Sequence, residues 1–166
     1  MTVILPKEPD WASVRQDVFD LAEQMYLHYF RRRMARYRLL RRQLITWLRS
    51  ILQVDPSNSE AWILLGDTLK RFKMRVHCYR SALKADPRHA EAHGELALLY
   101  GRRSDRRFAP HFDSSLRFCR KSLVEDSILS ALVQAAAAAK DQQRLKLAVQ
   151  TGRRRFPKES WLTLLK

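Results

Sequence analysis

The 166-residue chain holds 32 Lys and Arg against 17 Asp and Glu, a formal charge of +15, with 46% hydrophobic residues and only four glycines and six prolines. That composition supports a buried core and favours helix over sheet. Two cysteines, Cys78 and Cys119, exclude a disulfide framework. No apolar run approaches the roughly 18 residues a membrane span needs, and residues 1–6 lack the basic region and cleavage site of a secretory signal. The expectation is a cytosolic or organelle-matrix protein with an all-α fold.

Charge is unevenly placed. Residues 1–30 are net acidic, whereas residues 31–50 contain eight arginines and no acid. In this first stretch Val18, Leu21, Ala22 and Met25 form one apolar stripe, and Leu44, Leu48, Ile51 and Leu52 another. No Gly, Pro, Asn or Asp falls between Leu21 and Val54, so one very long helix is an alternative. A hairpin bending at residues 33–37 is preferred, because a lone helix of that length leaves its apolar face uncovered. Arg31, Arg32, Arg33, Arg36, Arg38, Arg41 and Arg42 interleave there with Tyr26, Tyr29, Phe30 and Tyr37.

Asp55-Pro56 and Asp86-Pro87 then recur at a spacing of 31, each between two helical patterns. Trp62, Leu65, Gly66 and Leu69 lie on the first helix of this unit, and Tyr79, Ala82 and Leu83 on the second. The next unit reads His93, Leu96, Ala97 and Tyr100, followed by Ser115, Cys119, Ser122 and Leu123. Its first helix is expected to stop at Gly101, ahead of a basic insertion over residues 101–110 that contains Arg102, Arg103, Arg106 and Arg107. A degenerate unit follows, with helices over residues 128–140 and 142–156 closed by Pro157. Another helix begins at residue 161 as a cap.

The Trp-Leu-Gly spacing, the aromatic and Ala of the second helix and the closing Pro resemble the tetratricopeptide repeat (TPR) family. The likeness is specific over residues 55–100 and loose elsewhere across residues 12–160. It implies a single domain over residues 1–166, built as an α-solenoid of about three to four stacked antiparallel helix pairs. The parts would be a basic N-terminal hairpin (1–54), a repeat (55–87), a repeat with a basic loop (88–126), a degenerate repeat (127–157) and a capping helix (158–166).

The resemblance also implies a concave groove lined by first helices: Glu60, Ile63, Leu64, Asp67, Lys70 and Arg71, then Glu91, Gly94, Glu95 and Leu98. This lining is acidic and apolar, and Gly94 would leave room for a partner. The slots at which some TPR proteins clamp a chaperone carboxylate correspond to Ile63, Asp67, Glu95, Ala131 and Ala135, and none is cationic.

Nothing along the chain resembles a nucleophile–base pair, a phosphate loop or a paired-cysteine metal motif. His89 and His93 share a helical spacing that metal ligands use, but His93 occupies a bulky core slot. The reading is a non-enzymatic scaffold, adaptor or assembly factor that holds a protein partner in this groove or along an apolar end of the array, with no cofactor or metal. Two alternatives rest on the arginines: nucleic-acid binding through residues 31–42 and 102–107, or association with an anionic membrane surface.

Overall fold

The computed structural model describes residues 34–121 and 125–157, together with residues 20, 21, 23–25, 27 and 29. Among the described residues every regular element is helical. The sequence reading treats residues 1–166 as one array; the chain divides into two compact units, Met1–Val54 and Asp55–Lys166. The Asp55-Pro56 punctuation explains where this boundary falls, since a proline ring crowds the preceding turn and ends the helix before it.

In the first unit, α1 spans Met34–Val54. Leu40, Leu44, Leu48, Ile51 and Leu52 recur every three or four residues and are buried, the stripe that an amphipathic helix turns inward. Met25 is buried as well. The rings of Tyr29 and Tyr37 lie 5.5 Å apart. Residues 34–37, four of the five positions of the expected bend, are themselves helical; residue 33 lies outside the described residues.

The second unit contains α2 (Ser59–Thr68), α3 (Phe72–Ala85), α4 (Ala90–Gly101), α5 (Phe108–Phe118) with a 3-10 turn over Cys119–Lys121, α6 (Glu125–Ala138) and α7 (Gln142–Arg155). Local chemistry sets several of the ends. The Asn58 side chain accepts the Ala61 N–H at 2.9 Å, and Asp141 accepts that of Arg144 at 3.0 Å, each satisfying an otherwise orphan donor of a first turn. Trp62 Nε1 donates to the Pro56 carbonyl at 2.9 Å, tying α2 to the Asp-Pro turn. Pro110 is tolerated in the first turn of α5, where no helical donor is lost.

Packing joins α2 to α3, α3 to α4, α4 to both α5 and α6, and α6 to α7. The core runs through Tyr79, Ala82, Leu96, Ala97, Phe112, Leu129, Leu132 and Ala148. Cys78 and Cys119 are buried and not joined in a disulfide, and Ser115 is buried with its hydroxyl donating to the Ala90 carbonyl at 2.8 Å. α4 ends at Gly101 as expected, though without a left-handed glycine. A Cβ at Gly101 would stand 2.5 Å from the Ala135 carbonyl oxygen. This glycine is therefore a point of close approach between α4 and α6. The left-handed backbone of the following loop is taken instead by Ser104, with φ of 50°. Of the capping helix expected at residues 158–166, all positions lie outside the described residues.

Candidate protein-binding groove

Gly66 decides the geometry of the site. Lacking a side chain, it admits the Tyr79 ring of α3 against α2, since a Cβ would meet Tyr79 Cε1 at 2.5 Å. The hydroxyl of Tyr79 thereby reaches Asp67 and donates to its Oδ1 at 2.6 Å. Arg75, one helical turn before Tyr79, donates from Nη2 to the Tyr79 oxygen at 2.8 Å and to Glu95 Oε2 at 2.9 Å, and from Nε to the Gly66 carbonyl at 3.2 Å. Side chains from α2, α3 and α4 thus meet in one polar network. Sequence reasoning placed Asp67 and Glu95 on a common surface but missed Arg75 and treated Tyr79 only as a packing aromatic. The available signal was Gly66 immediately before Asp67, with Arg75 and Tyr79 one turn apart.

The network holds one guanidinium against several carboxylates. Crowding by the surrounding protein and then the Glu95 carboxylate push Asp67 up to about 7, against the opposing pull of its Tyr79 hydrogen bond. Solvent still reaches the outer side of Asp67, and Glu95 and Glu91 both act in the upward direction. Glu91 is likewise raised, by burial first and then by Glu95 and Glu60. Burial also raises the Tyr79 phenol, which stays protonated as the donor.

The other expected lining residues separate into two groups. Glu60, Lys70 and Arg71 are exposed, and Leu64, Glu91 and Glu95 are half-buried. Ile63 and Leu98 are core residues. Gly94 is buried, with the Ser115 hydroxyl 3.2 Å from where its Cβ would be, and it floors a dimple of about 20 Å³ bounded by Glu91, Glu95, Ser127, Ile128 and Ala131. A larger, solvent-open depression of about 450 Å³ follows α7 past Leu145, Lys146, Val149, Gln150 and Arg153, outside the expected groove.

His93 is paired with a residue from α5 rather than with His89. Its Nδ1 lies 3.0 Å from Nδ1 of His111, and its Nε2 lies 3.1 Å from the Pro87 carbonyl. Because a carbonyl only accepts, His93 carries its proton on Nε2 and its Nδ1 accepts from His111. The His111 ring stacks on Tyr100. Burial, then His93, Arg80 and Arg107, bring His111 down to about 4; burial also lowers His93.

The arginine groups belong to different units. In the loop, Arg102, Arg103, Arg106 and Arg107 are exposed. Arg103 lies over the Phe72 ring at 3.7 Å and Arg107 over Tyr100 at 4.4 Å. Arg107 also forks onto Asp105 through Nε and Nη2 at 3.0 and 2.6 Å. On α1, Arg36, Arg38 and Arg42 are exposed and Arg41 is half-buried. Arg31, Arg32 and Arg33 lie outside the described residues.

No protein-family model matches the chain, and no curated protein matches it in sequence. The likeness to tetratricopeptide repeats rests on the residue spacings themselves.

Proposed function

We propose that residues 55–166 form a TPR-like array of three stacked helix pairs, α2–α3, α4–α5 and α6–α7, acting as a non-enzymatic scaffold for a protein partner. One observation carries this reading. Glu60, Asp67, Glu91 and Glu95 are contributed by α2 and α4, and lie close enough that Glu95 and Glu91 help raise Asp67 while Glu95 and Glu60 help raise Glu91, although the chain as a whole has a charge of +15. An acidic concentration on so basic a protein is a surface for a cationic partner segment. Half-buried Leu64 supplies apolar contact beside it, while buried Ile63 and Leu98 keep the backbone of the groove rigid. A scaffold of this kind derives affinity from apolar contact and selectivity from charge.

The test is peptide display against the full chain, with the Glu60→Arg, Glu91→Arg double variant as counter-target. Wild type is expected to enrich basic peptides carrying an aliphatic or aromatic residue, and the variant to lose them while keeping its helical content. Equal enrichment by both proteins would remove the groove as the binding surface.

A further inference from the structure

The first unit offers a second, independent surface. α1 carries five arginines and no acidic residue along its 21 positions. Its apolar side is already buried. On the opposite side Arg38, Arg42 and Arg49 are exposed. At 100° per residue they fall within about 40° of one another, with axial separations of about 6 and 10 Å. Among the described residues no carboxylate pairs with any of the three. Like charges at such spacing weaken a helix rather than support it, so folding alone gives no reason for this pattern.

Two polyanions could answer it, and the packing separates them. A helix lying on a membrane sinks its apolar face among the acyl chains, but in α1 that face is occupied by protein. What remains outward is guanidinium, whose planar fork matches phosphate oxygens in pairs.

We propose that the Arg38–Arg42–Arg49 face of α1 binds nucleic acid through its phosphates, without sequence selection. This surface and the groove of residues 55–166 are built from different residues in different units, so either proposal stands or fails without the other.

The experiment uses the full chain and a labelled 20-nucleotide single-stranded RNA of mixed sequence, with the equivalent DNA in parallel. Anisotropy is read from 0.05 to 0.2 M salt. Three single-strand phosphate contacts contribute a log–log slope of about 2, or about a 20-fold weakening across that range. The R38Q, R42Q, R49Q triple variant is expected to lose this part of the salt dependence. A control triple, K84Q, R88Q, R120Q, removes equal charge from other exposed positions and is expected to change the slope far less. Replacing the three arginines by lysine should keep the slope and reduce affinity. If the glutamine triple alters the circular dichroism, the lysine triple decides the matter. Equal losses in the two glutamine triples would overturn the proposal, assigning binding to overall charge. Absence of RNA and DNA binding at 0.15 M salt would overturn it as well, and binding there only to vesicles containing phosphatidylserine would reassign the face to lipid.

Discussion

The ring of Tyr79 occupies the space that any side chain at residue 66 would fill, and this one relationship holds α3 against α2 and brings the Tyr79 hydroxyl to Asp67. Gly66→Ala should therefore displace the ring and lose the 2.6 Å hydrogen bond. A destabilisation of about 1–3 kcal/mol is expected from overpacking, read as a lower urea midpoint. Gly101→Ala should be worse, because the obstacle there is the Ala135 backbone carbonyl rather than a side chain. A Gly101 variant as stable as the Gly66 variant would contradict the close crossing of α4 and α6.

Asp67 sets a pH dependence of unusual sign. Its carboxyl is raised from 3.8 to about 7 in the folded chain, so between about pH 4 and 7 the native state binds a proton that the unfolded chain lacks. By linkage, its contribution to stability is greatest below that window and falls as pH rises through it. Asp67→Asn, which keeps an acceptor for Tyr79 but carries no charge, should exceed wild type in stability at pH 8 and lose the advantage towards pH 4. Parallel stability curves across that window would rule out a raised Asp67.

The His93–His111 pair acts in the opposite direction. Both imidazoles are lowered from 6.5, His111 to about 4, so the unfolded chain binds more protons below pH 6.5. Stability from this pair is complete above pH 6.5 and is lost as pH falls towards 4. His111→Phe retains a ring against Tyr100 but cannot titrate. It should be less stable than wild type at pH 7.5, and the gap should narrow on acidification. Thermal melts at pH 7.5, 6 and 5 measure this, and a gap that widens in acid would refute the neutral pair.

In the basic loop, the side-chain hydrogen bond from Arg107 holds Asp105 down at about 2. Arg107→Ala should return the Asp105 carboxyl towards 3.8, visible by NMR titration. The melting temperature should hardly move, because exposed ion pairs contribute little. An unshifted Asp105 titration would mean that the fork seen at 2.6 Å is not maintained in solution.

Helical character, the punctuation at Asp55-Pro56 and Asp86-Pro87 and the apolar stripe of α1 were all legible in the amino-acid order, because they depend on spacing along a single helix. So were the helices closed by Pro157: residues 128–140 and 142–156 were expected, and Glu125–Ala138 and Gln142–Arg155 are observed. The burial of Trp-Leu-Gly neighbours was legible in part, with Leu65 buried and Trp62 half-buried. Periodicity could not say which side of a first helix faces a neighbour. Ile63 and Leu98 share their surface assignment with Asp67 and Glu95 in one dimension, but the packing of α3 and α4 encloses the first two and gathers the others around Arg75 and Tyr79. The same limit applies to His93, whose partner is 18 residues away on another helix, and to Gly101, whose small size answers a carbonyl 34 positions later. A helix's own repeat is fixed by local backbone geometry, whereas hydrogen bonds, shifted proton affinities and close crossings arise only when distant segments pack, and tertiary structure alone determines them.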